Sequence, residues 1–114
     1  MFRPSEAESR ERIRALNDEF RKTFAGGQVL ITPGVTALPS DVRAMAIRKV
    51  ATFDDFKTAN DPHGEHDFGA IEIAGAKLFW KIDYYDLALT NGSEDAGNPA
   101  VTKRVMTIML AEEY

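Results

Sequence analysis

The sequence predicts a small α+β domain, with helices packed on one face of a three-stranded, largely antiparallel sheet in the order α-β-α-β-β-α. Three observations lead there. An amphipathic helical pattern opens the chain, an alternating apolar pattern with a tight reversal fills residues 68–85, and 114 residues leave room for one core. Residues 1–114 are therefore read as a single domain, with 1–5 as a loose N-terminal tail.

Ser5 and Glu8 stand at capping-box spacing, each side chain able to bond the other's backbone amide, which starts the first helix. Ile13, Leu16, Phe20 and Phe24 then recur at helical steps as one apolar stripe. Arg10, Arg12, Arg14, Arg21 and Lys22 alternate with Glu8, Glu11, Asp18 and Glu19, the pattern of a solvated, ion-paired helix face. Gly26-Gly27 ends the helix. Gln28 to Thr32 is short and apolar between Gly-Gly and Pro33-Gly34, so it reads as a strand. Pro39-Ser40-Asp41 opens a second helix carrying Val42, Met45, Ala46, Val50 and Phe53 on one side. A kink or break is expected near Thr52, because Asp54 and Asp55 sit badly at the negative end of a helix dipole.

Phe68 to Ile73 and Ala76 to Tyr85 form the strongest local signal, a hairpin joined by Ala74-Gly75, where glycine accepts positive φ. That register pairs Ile71 with Leu78, Gly69 with Trp80 and Glu72 with Lys77, whose opposite charges favour it. Ile71, Ile73, Leu78, Trp80, Ile82 and Tyr84 then share the core face. Thr90 to Asn98 is a polar loop, and Asn98-Pro99 carries the signature of a third helix opening. Val101, Val105, Ile108 and Met109 share one side of that helix, while Met106 and Leu110 fall off it. Burial of the helix on two sides, or a homodimer contact through it, would account for them; a strand is the alternative, since Val, Thr and Ile are frequent there, and the capping signal favours the helix. Met45, Met106 and Met109 read as core packing.

Composition narrows the function. No cysteine is present, so disulfides, thiol nucleophiles and cysteine-held metals are excluded. The apolar share of 44 % is that of a globular protein. No apolar run approaches the roughly 20 residues of a membrane span. Met1 to Arg14 is charged and lacks a leader's apolar stretch, so a cytoplasmic location with no membrane partner is expected. A net charge of −4 argues against nucleic acid as a partner.

Asn60-Asp61-Pro62-His63-Gly64-Glu65-His66-Asp67-Phe68-Gly69, with Phe79-Trp80-Lys81-Ile82-Asp83-Tyr84-Tyr85-Asp86, resembles the DUF3768 family of bacterial proteins of unknown function. Ile13 to Asp18 and Arg104 to Tyr114 are similar to it as well. The resemblance implies a bacterial, cytoplasmic domain often carried by mobile elements, and it attaches no activity.

Two function classes follow. The first is a protein-interaction or regulatory module. Phe68, Phe79, Lys81, Tyr85 and Asp86, together with the Asn60–Asp67 loop, would bind a protein partner if no helix covers the outer sheet face. The second is a small metal-dependent hydrolase. Both histidines of the chain lie in that loop, and imidazole with carboxylate suits zinc, iron or manganese. His63, His66, Asp67 and Asp83 would be the ligands and Glu65 the general base, with His66 placed across from Asp83 by continuing the hairpin register. Asp61-Pro62-His63-Gly64 is also a sound turn, and its acidic side chains can simply bond loop amides.

Overall fold

The computed structural model describes residues 5–114; the loose tail expected over 1–5 lies, except for Ser5, outside the described residues. Helix α1 spans Glu6–Thr23, strand β1 Gly27–Ile31, the short helix α2 Pro33–Thr36 and helix α3 Ser40–Ala51. Strands β2 Phe68–Ile73, β3 Ala76–Tyr85 and β4 Lys103–Leu110 follow, closed by a 3-10 turn at Ala111–Glu113. The four strands form one mixed sheet in the order β1-β4-β3-β2, with β1 parallel to β4 and the other neighbours antiparallel.

Local chemistry sets the helix ends and the hairpin. Ser5 caps α1 and Glu8 reaches back to its amide, completing the box. Thr52 follows α3 and donates its hydroxyl to the Arg48 carbonyl at 2.9 Å, so the helix stops where the sequence predicts a break. In the β2–β3 hairpin, Ala74 and Gly75 have φ of 50° and 80°, the pair of left-handed residues that a two-residue turn requires. The expected pairs Ile71–Leu78, Gly69–Trp80 and Glu72–Lys77 all form.

The third helix does not form. Residues 103–110 are instead the central strand β4, so the sheet has four strands rather than three and the order α-β-α-β-β-α is corrected accordingly. The physical cause lies in burial on both faces. Arg104, Met106 and Ile108 face the helices, while Val105 and Met109 face the other way and are also buried. A strand covered on both sides loses apolar alternation and reads as a crowded helix. Asn98 does cap a turn, accepting the Ala100 amide at 2.9 Å, but the turn ends there. With no C-terminal helix, the homodimer contact assigned to one has no element to use.

One core forms between the sheet and the helices. Phe20 of α1, Val35 of α2, and Ala46 and Val50 of α3 pack on Ile71, Ile73, Leu78, Trp80, Ile82, Met106 and Ile108. Helices thus sit on one face, as expected, although Met45 points to solvent rather than into the core. Gly69 is buried opposite Trp80. A Cβ there would lie 2.7 Å from the Phe53 ring and closer still to the indole nitrogen, so only glycine fits. No helix among the described residues is long and apolar enough to cross a membrane.

Candidate functional site

Chemistry-bearing residues divide between the two sides of the sheet. On the helix side, the connection from α3 to β2 returns to α1 at His66. Its φ of 56° lies in the left-handed region, and its amide donates to Asp61 Oδ1 at 3.1 Å. That backbone turn aims the imidazole at α1, where Nδ1 lies 2.8 Å from Asp18 Oδ1. A carboxylate only accepts, so Nδ1 carries the proton in this bond. Nε2 faces Asp61 Oδ2 at 3.7 Å, and the ring stacks on Phe56 with centroids 3.7 Å apart.

Asp18 also accepts from Arg21 Nη1 at 2.9 Å. Burial raises the Asp18 carboxyl, but the bonds from Arg21 and His66 outweigh it and hold the group below its ordinary range. The Arg21 side chain is 2 % exposed, and its guanidinium lies over the Phe56 and Trp80 rings at 5.1 and 5.4 Å. Asp18, Arg21, Lys22 and His66 line a cleft with Ala51, Thr52, Phe53, Asp54 and Phe56, of about 270 Å³.

A second polar cluster is built around Asn17, which is fully buried on α1. Its amide donates to Tyr84 Oη at 2.7 Å and to the Glu65 carbonyl at 3.0 Å, while its oxygen accepts from Arg104 Nε at 2.8 Å. Tyr84 donates in turn to Glu65 Oε1 at 2.8 Å, and Arg104 reaches the Ala96 carbonyl. Burial, followed by the bond to Glu65, pushes the Tyr84 hydroxyl well above its ordinary value and overrides the opposing bond from Asn17. The phenol stays protonated, and the cluster ties α1, the 60–67 loop, β3 and β4 to one another.

The four candidate metal ligands are dispersed. His63 is exposed and, with Pro62 and Glu65, lines a separate cleft of about 350 Å³ against Glu6, Ser9, Arg10 and Ile13. His66 is turned toward α1. Asp67 is half-buried, its carboxyl raised first by burial and then by the negative Glu65 nearby. Asp83 lies on the outer sheet face, where Lys81 Nζ contacts it at 2.8 Å. The register does point residue 66 toward 83, but β2 begins only at Phe68 and the left-handed turn at His66 sends the ring to the other face. Among the described residues no three His, Asp or Glu side chains converge as a metal-ligand group. The centre expected from His63, His66, Asp67 and Asp83 is therefore not assembled, and Glu65, bonded by Tyr84, has no such centre to serve as base.

The outer sheet face carries the other candidates. Phe68 and Phe79 lie 5.2 Å apart, and Tyr114, folded back by the 3-10 turn, meets both edge-on at 6.1 and 5.6 Å. Lys77 sits over the Phe79 ring at 5.6 Å. The bond to Asp83 raises the Lys81 ammonium above its ordinary value. Tyr85 shares this face, whereas Asp86 builds a turn: its carboxylate accepts the Thr90 amide at 3.0 Å, the main reason it is held below the usual range. All three helices place their buried side chains on the opposite face.

Sequence reasoning missed Asn17, Arg21 and Arg104. Asn17 and Arg21 stand four apart beside Phe20, on the buried side of the helical stripe, and that spacing is the signal that could have separated Arg21 from its solvated neighbours. Arg104 gave none, because its burial depends on β4 being a strand.

No curated protein and no solved structure matches the chain. The family described as "Protein of unknown function (DUF3768)" matches residues 31–113, leaving α1 and most of β1, with Asn17, Asp18 and Arg21, outside the matched segment. That segment covers well over half of the sequence, and the chain belongs to the DUF3768 family.

Proposed function

We propose that this domain is a protein-interaction module that binds its partner on the open face of the sheet, through Phe68, Phe79 and Tyr114 with Lys81 and Asp83 at the rim. One observation carries this reading: three aromatic rings form a partly exposed patch on a face that no α-helix among the described residues covers. Aromatic centres with a mixed-charge rim are the composition of protein-binding patches. The partner offers aliphatic side chains to the rings and both charges to Lys81 and Asp83. A regulatory role in the cytoplasm of a bacterium, on a mobile element, is the setting the family resemblance supplies.

Photo-crosslinkers placed at Lys77 on the open face and at Arg10 on α1 test it in cells. The expected result is one heterologous protein joined from position 77 and none from position 10, with the adduct lost in Phe79→Ala and in Lys81→Glu and kept in His63→Ala. Adducts with a second copy of the chain, equal capture from both positions, or survival in both open-face variants would overturn the reading.

A further inference from the structure

We infer that the cleft between α1 and the start of the 52–67 connection is a binding site for a small monocarboxylate with an apolar body, anchored by Arg21. This lies on the helix side of the sheet and does not depend on the interaction surface above. Arg21 has five N–H donors. Among the described residues it gives one hydrogen bond, from Nη1 to Asp18, and its Nε has no acceptor although the side chain is almost fully buried. Native proteins rarely leave a buried cation so poorly satisfied, since each unpaired donor retains its full desolvation cost. The guanidinium lies over the Phe56 and Trp80 rings, and its edge keeps the Nε–H with no acceptor among the described residues. A carboxylate is the group whose two oxygens match that edge.

The rest of the cleft selects the body and the charge. Ala51, Phe53 and Phe56 supply apolar wall, Lys22 adds a second cation, and a volume of about 270 Å³ fits a molecule of single-ring size. Asp18 and Asp54 line the same space. Two carboxylates beside the anchor repel a dianion such as phosphate far more than a monoanion. His66 also lines the cleft and shares Asp18 Oδ1 with Arg21, so that oxygen's charge is divided between two donors.

Benzoate is a suitable probe, titrated into the isotope-labelled full chain and followed by the Arg21 Nε–H and backbone amide resonances. Saturable shifts at Arg21, at Thr52 to Phe56 and at His66 are expected, while benzyl alcohol and inorganic phosphate leave these signals unmoved. Arg21→Gln abolishes the response. Because that variant can fail to fold, Asp54→Asn serves as the second arm. Asp54 is exposed, and removing its charge tightens benzoate binding about threefold, a change a purely structural Arg21 would not produce. Asp18→Asn, which frees the anchor from its internal competitor, tightens it about tenfold. An absent or unsaturable response, an equal response to benzyl alcohol, tighter binding of phosphate, or benzoate affinity unchanged or weakened in both carboxylate variants would overturn the proposal.

Discussion

The two faces of this sheet come from the same strands and both carry aromatic side chains, yet they meet different fates. On the helix side Trp80 is fully buried, packed edge-on to Phe53 and Phe56 and opposite a glycine that makes room for it. On the other side Phe68, Phe79 and Tyr114 meet each other at the surface with charged neighbours. The difference teaches that aromatic content does not tell packing from recognition here; what lies over the ring does. It also separates two kinds of polar chemistry. Lys81 and Asp83 pair in the open, where an ion pair contributes little, whereas Arg104 and Asn17 pair in the interior, where losing one partner strands the other.

This contrast can be broken in a graded way. The largest effect is expected from Trp80→Ala, which should lower unfolding free energy by about 3–5 kcal/mol in urea denaturation, since it empties the centre of the core. Arg104→Ala should follow at about 3 kcal/mol, because Asn17 loses its acceptor role inside the core. Gly69→Ala should cost about 1–3 kcal/mol by forcing the Trp80 and Phe53 rings apart. Phe79→Ala should cost no more than about 1 kcal/mol while removing partner capture, so a loss as large as that of Trp80 would erase the distinction between the faces.

The smallest effects are pH-dependent and opposite in sign. Asp18 has a folded-state value below 3.8, so the stability it contributes is complete above that pH and is lost as pH falls through the lower value. Asp18→Asn should accordingly flatten the acid limb of the stability profile. Asp67 is raised above 3.8 by burial, so its ionised form opposes folding at neutral pH. Asp67→Asn should stabilise slightly, by less than about 1 kcal/mol, at pH 7 and not at all below about pH 3.8. Urea midpoints measured across pH 3–7 check both, and a gain from Asp67→Asn that persists in acid would contradict the burial assigned to it.

Much of the candidate site was legible only as a list of residues. The loop with both histidines does hold a polar cluster, but its partners come from α1 and β4 rather than from Asp83. Extending the hairpin pairing past its last paired residue failed because one left-handed residue, His66, ends the alternation of faces. The aromatic outer face was visible in the alternation of β3, but Tyr114 joined it only through the 3-10 turn after β4, whose Glu113 is held below its ordinary range chiefly by the Thr32 hydroxyl.

By itself the sequence determined whatever is closed within a few residues: the capped start of α1, the end of α3 at Thr52, and a hairpin whose two-residue turn leaves one register open to it. Tertiary structure alone decided β4. Residues 103–110 become a strand because β1 and β3 offer backbone partners on either side and side chains of both its faces are buried, and those partners lie about 20 to 80 positions away along the chain. A turn is settled by the dihedral preferences of the residues that make it, while a central strand is settled by neighbours that exist only once the rest has folded.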